Sequence, residues 1–340
     1  MRKIDFESHF ATEEWVEAMF KNERYPRYMR DEETNTCKIQ WSNNDVEPIG
    51  DVLLKKLLDL GEGRIKTMDE NGIDMEVLSL TIPGVDLMDP QVGKAIAKKV
   101  NNTISEVIKK YPDRFVGFAT LAPQNPEEAS EELERAVKEL KLKGWKTHSN
   151  YGEDYLDNKR YYPILEKAEK LGVPIYLHPS YPSIPQLKTP YGWALSGAPF
   201  GFGVETAICM MRLILSGIFD RFPKLIIILG HLGEALPFLF ARMDYPYVIP
   251  WFDPNARPRL SKKPSDYFKS NVYVTTSGNY FKPAFMCTYE AMGVDRILLG
   301  TDYPYEDPKI CLKFIEGLGL KEEDKEKIYY KNATQLGIGV

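Results

Sequence analysis

Cysteine and histidine are both scarce: the 340 residues hold four of each. Cys37, Cys209, Cys287 and Cys311 stand far apart with no CxxC pair, which argues against a zinc ribbon or a disulfide framework and fits reduced thiols in the cytoplasm. Charge of one sign is lacking too. The formal net charge of -5 is dispersed through mixed-sign stretches such as EEASEELERAVKELKLKG, so there is no basic footprint for nucleic acid and a small-molecule partner is expected. No apolar run approaches the roughly 20 residues of a membrane span, and the opening MRKIDFESHF is too polar for a secretory leader. A soluble chain without a membrane partner is the expectation. Internal repeats and low-complexity tracts are absent as well.

Hydrophobic residues at 43% and charged residues at 27% are ordinary globular usage, enough for a sizeable core. Short β-rich apolar runs alternate with longer stretches of helical period, the pattern of parallel strands joined by crossover helices. Eight strands are expected, at Lys3 to His9, Met75 to Leu80, Phe115 to Thr120, Gly144 to His148, Pro174 to His178, Leu225 to His231, Val272 to Thr276 and Arg296 to Asp302. Eight selects a (β/α)8 TIM barrel of the α/β class over an open doubly wound sheet. The barrel is expected to span 1–340 as one domain, with irregular insertions at its C-terminal face near 10–60, 180–204 and 245–270 that carry Tyr28, Trp41, Tyr181, Trp193, Tyr245 and Trp251. Pro126 to Leu140 reads as a helix capped by Asn125, and Asp157 to Leu171 as one stopped at Gly172.

All four histidines fall at or near the C-terminal ends of expected barrel strands, the face on which such barrels build active sites: His9, His148, His178 and His231. Asp302 ends the eighth strand. Glu7 and His9, two apart on a strand, point to one side and can grip one metal together. Each residue also has a plainer reading taken alone. Glu7 and His9 fit a solvated strand end, His178 in VPIYLHPSYP a neutral core histidine, and Asp302 in RILLGTDYPYE a helix N-cap. In IIILGHLGEALPF, His231 and Glu234 are spaced to meet across a helical turn as an acid/base pair, or Glu234 is simply an acid in the first turn of a helix capped by Gly230. Arg212 is a candidate fork for an anionic substrate, placed near the start of its helix, with a surface salt bridge as the alternative. His148 has the right position, and nothing in the sequence assigns its role.

Five segments, ESHF, YLHPSYP, RLILSGIFDRFPKLIIILGHLGEALPF, VYVTTSGNYF and RILLGTDYPYE, occur in an order and spacing that resemble the amidohydrolase-related family of γ-resorcylate, 2,3-dihydroxybenzoate, 5-carboxyvanillate and aminocarboxymuconate semialdehyde decarboxylases. The resemblance covers nearly the whole chain. Around His148 the run Lys146-Thr147-His148-Ser149-Asn150 departs from the carboxyvanillate pattern that it otherwise evokes. The resemblance implies Glu7, His9, His178 and Asp302 as ligands of one divalent ion, zinc or manganese. It implies His231 with Glu234 as the catalytic histidine and its partner, and Arg212 on the substrate side. It further implies a carboxy-lyase that decarboxylates a hydroxylated aromatic acid without oxidation, with Asp302 as first choice of acid, in a homodimer or homotetramer. A hydrolase opening a lactone or amide on the same ligands is the rival enzyme. A scaffold barrel without activity is the rival from another class, and the unbroken ligand set argues against it.

Overall fold

The computed structural model describes residues 1–187 and 191–339; residues 188–190 of the expected 180–204 insertion lie outside them. Eight parallel strands form the centre: β1 (Ile4–Phe10), β2 (Met75–Leu80), β3 (Phe115–Gly117), β4 (Trp145–His148), β5 (Ile175–His178), β6 (Ile227–Leu229), β7 (Val272–Thr275) and β8 (Ile297–Leu298). They pair in chain order as two ladders, β1-β2-β3 and β4 through β8. Single parallel bridges join the ladders, Ala119 to Trp145 on one side and Ser8 to Tyr303 on the other. The His9 N–H donates to the Tyr303 carbonyl at 2.7 Å and the Ala119 N–H to the Gly144 carbonyl at 2.8 Å, completing a (β/α)8 barrel.

Alternation along the strands separates two cores. Phe6, Val77, Phe118, Tyr176, Ile228 and Leu298 belong to a cluster filling the barrel interior, with Phe6 and Phe118 meeting edge to face at 5.7 Å. A larger cluster packs the outer strand faces against the helices. The register of β1 shifts between Asp5 and Ser8. Such a bulge bends the strand and re-aims a side chain. Here Phe6 packs in the interior while its neighbour Glu7 also reaches inward, to hydroxyls on and after β7. Asp5 supports the bulge from outside, accepting the Glu7 N–H at 3.1 Å and the Thr301 N–H at 2.9 Å.

The helices follow their end signals. Pro126–Lys138 starts at Asn125, whose side chain accepts the Glu128 N–H, and Tyr162–Leu171 stops at Gly172 with φ +67°. The insertions are more regular than expected. Residues 10–60 contain helices Glu13–Lys21 and Asp51–Leu58 around an antiparallel sheet of Arg27–Arg30, Cys37–Gln40 and Val46–Pro48. Three or four residues per strand are too few to show a period in sequence. Likewise 245–270 begins inside helix Phe240–Val248 and ends inside Pro264–Asn271. Trp41 of the first insertion stacks on Tyr181 after β5, centroids 5.4 Å apart, which fastens that insertion to the C-terminal mouth. One stretch, Trp193–Leu215, is long and apolar enough by length and composition to cross a membrane, contrary to the sequence expectation. In the fold its main helix, Gly201–Leu215, buries Phe202, Cys209, Met210, Leu213 and Ile214 in the core.

Candidate metal centre and active site

The fold brings Glu7 and His9 of β1, His178 at the end of β5 and Asp302 after β8 to one point. One ligand atom from each lies within 4.8 Å of the others. Glu7, His9 and His178 are buried, and Asp302 is 16% exposed toward the mouth. The orientations suit a cation. Glu7 turns Oε2 toward the hydroxyls of Thr275, at 2.6 Å, and Ser277, while buried Oε1 has no close hydrogen-bond partner among the described residues. That oxygen stands 3.7 Å from both His178 Nε2 and His231 Nε2. His178 donates Nδ1–H to the Pro179 carbonyl at 2.9 Å, which leaves the Nε2 lone pair facing inward. A buried carboxylate oxygen facing two ring nitrogens is what a divalent ion satisfies. The mixed nitrogen and oxygen set suits manganese or zinc.

Burial shapes the charge states. It pushes His9 and His178 well below the usual histidine range, with Lys146 adding to the effect, so both rings are neutral, the form that can ligate a cation. Burial, then Glu7, raises Asp302 well above the carboxylate range. For His231 burial works against protonation, but Glu234 and Glu7 outweigh it and carry the group up to about 10. A cation among the ligands opposes that rise. Lys146, wholly buried on β4, donates to the Leu80 carbonyl at 2.6 Å, and desolvation brings it down to about 7 against the pull of Glu7, Asp86 and Asp302.

His231 and Glu234 do meet, Nδ1 to Oε1 at 2.7 Å, but not on a right-handed helical turn. His231 (φ +54°), Leu232 (+60°), Gly233 (+82°), Glu234 (+53°) and Ala235 (+60°) form one left-handed turn. The reading of Glu234 as an acid in a helix capped by Gly230 is therefore corrected. Close approach by two glycines packs this pair: a Cβ at Gly203 would stand 2.9 Å from Glu234 Oε2, and one at Gly278 2.5 Å from His231 Cδ2. Left-handed backbone costs a non-glycine residue roughly 1–2 kcal/mol. Ala235 is exposed and spends this strain without packing in return. Ala235→Gly is expected to raise stability by about 0.5–1 kcal/mol, after the greater chain entropy of glycine is allowed for, and thermal melting reads it.

His148 lies across from His178 in the β4–β5 register, ring centroids 6.0 Å apart, with Nδ1 hydrogen-bonded to Asp86. Arg212 is not brought to the cluster. It sits in the last turn of Gly201–Leu215, not near its start, and pairs with Asp157 at 2.9 Å over the ring of Tyr155. The end of that helix near Glu234 is the one at Gly203, and nine residues of helix between Gly203 and Arg212 span about 14 Å. The salt-bridge alternative describes its contacts. Sequence reasoning passed over Asp86, Lys146, Thr275 and Ser277; Asp86 follows β2 on the functional rim, a positional signal that was available. Thr275→Val removes one of the two donors that orient Glu7 and is expected to weaken metal binding about 10- to 100-fold, as read by metal titration.

A barrel whose mouth gathers two histidines and two carboxylates from the ends of β1, β5 and β8 defines a metal-dependent enzyme of the amidohydrolase type. The family model described as Amidohydrolase matches residues 4–336, and the chain belongs to that family. A γ-resorcylate decarboxylase from Polaromonas sp. (strain JS666) is 38% identical over 294 residues, covering 84% of this chain and 89% of that one. The crystal structure of 5-carboxyvanillate decarboxylase from Sphingomonas paucimobilis superposes with a TM-score of 0.88 at 33% identity, covering 98% of both chains. That of dihydroxybenzoic acid decarboxylase from Polaromonas sp. JS666, with bound manganese and the inhibitor 2-nitroresorcinol, does so with 0.83 at 36% identity, covering 98% of this chain and 96% of that one.

Proposed function

We propose that this chain is a metal-dependent carboxy-lyase that removes CO2, without oxidation, from an aromatic acid bearing an ortho hydroxyl. The observation that carries the reading is the four-donor cluster at the barrel mouth with the His231–Glu234 pair beside it. Glu7, His9, His178 and Asp302 hold one divalent ion; manganese, bound in the solved Polaromonas relative, is preferred over zinc. When bound, the ion supplies Lewis acidity that fixes and polarises a carboxylate or phenolate oxygen of the substrate.

Asp302, part-exposed at the mouth, gives a proton to the ring carbon that bears the carboxylate. The bond to the carboxylate then breaks, CO2 leaves and the ring recovers aromaticity. His231, oriented by Glu234, hydrogen-bonds the substrate hydroxyl and returns a proton to Asp302 from solvent. His148 faces the substrate, and Arg212, tied to Asp157, acts at most through the loop that carries Tyr155. The four unpaired cysteines suit a cytoplasmic enzyme. Exposed Tyr191, Phe200, Phe238 and Trp251 on or beside the insertions suit a homodimer or homotetramer. Metal-loaded protein incubated with ortho-hydroxybenzoates and dihydroxybenzoates is expected to release CO2. Tightly bound metal with no release from any acid would transfer the site to lactone or amide hydrolysis.

A further inference from the structure

Beside the metal cluster, in ring contact with His178, lies a second buried ionisable pair to which the decarboxylation scheme gives no step. Asp86 and His148 are 6% and 3% exposed, and Asp86 accepts a hydrogen bond from His148 Nδ1. Nδ1 therefore carries a proton, and Nε2 presents the other face of the ring. Nε2 is buried with no partner among the described residues, and His148 is outside the four-donor group. The pair is built, not incidental. Gly84, at φ +66°, lies so close that a Cβ there would come within 2.6 Å of His148 Cε1, and the Trp15 indole N–H fixes its carbonyl at 2.8 Å. A buried imidazole nitrogen left unpaired by a supported neighbour calls for a ligand group.

We infer that the Asp86–His148 pair is a hydroxyl-reading pole of the pocket, which takes a second, free ring hydroxyl of the substrate at His148 Nε2. The inference rests on the reading of the site as one for hydroxylated aromatic acids and narrows it to dihydroxylated ones, with one hydroxyl ortho to the carboxylate and another toward β4. A hydroxyl donates into the Nε2 lone pair. A methyl ether at the same position cannot, and leaves Nε2 buried and unpaired.

The test is calorimetric titration of manganese-loaded protein with salicylate, with dihydroxybenzoates that keep an ortho hydroxyl, and with the same acids carrying the second hydroxyl as its methyl ether. At least one dihydroxy acid is expected to bind about 10- to 100-fold more tightly than its ether. His148→Phe is expected to bring that ratio to about one, with the loss confined to the dihydroxy acid. Asp86→Asn, whose amide can donate to Nδ1 and turn Nε2 into the N–H, narrows the ratio without removing the ring. A ratio that survives in both variants, or a loss of equal size for salicylate and the dihydroxy acid, overturns the inference. Wild-type protein that shows the ratio but releases no CO2 removes the decarboxylase reading alone; one that releases CO2 without any ratio removes the hydroxyl-reading pole alone.

Discussion

Asp302→Asn is expected to lower kcat for CO2 release by at least about 1,000-fold, or roughly 4 kcal/mol of barrier. Asparagine has the same shape and tolerates the left-handed backbone at this position, where φ is +61°. It can also keep a contact with His9 Nε2, now 2.9 Å from Asp302 Oδ1. What it lacks is the acidic proton. Because Asp302 is also one of the four proposed ligands, metal content must be measured beside the rate. A variant that holds its metal and loses turnover identifies the acid; one that holds its metal and turns over within tenfold of wild type passes that role to His231. Glu234→Gln keeps the His231 partner without its charge, and its smaller effect should appear in the pH profile of kcat.

Metal removal is expected to produce the largest change in stability. An ion that binds only the folded state at 1,000 times its Kd stabilises by about 4 kcal/mol, which for a chain of this length shifts Tm by roughly 6 °C. Glu7→Ala should abolish the shift at the same manganese concentration, since it removes one of the four carboxylate and imidazole groups of the candidate site. The shift should also shrink as pH falls. Burial and Glu7 hold the Asp302 carboxyl well above its usual range, so a proton competes with the ion there, and affinity rises with pH until that carboxyl is ionised. A shift that is unchanged by pH and retained by Glu7→Ala would place the ion elsewhere.

The eight strands were legible because each is a short apolar run between helices with plain start and stop signals, as at Asn125 and Gly172. Their C-terminal limits were less so. The eighth strand was expected to reach Asp302 but ends at Leu298, where the Leu299 N–H turns to the Ile328 carbonyl, a partner no local pattern reveals. The turn from His231 to Ala235 was misread for a similar reason. A run of non-glycine residues at positive φ contradicts local preference and persists only where surrounding packing imposes it. The pairing of His148 with Asp86 joins residues 62 positions apart and depends on the close approach of Gly84.

By itself the sequence determined the barrel and the placing of its four histidines, Glu7 and Asp302 on the functional rim. Strand period, helix punctuation and the gathering of the scarce histidines at strand ends are local properties, written in the order of residues. Only the tertiary structure decided which rim residues converge. It set Glu7 inward through the bulge in β1, paired Asp86 with His148 and left Arg212 with Asp157. Ligand convergence, burial and the resulting charge states depend on distances between segments far apart in the chain, which no local pattern encodes.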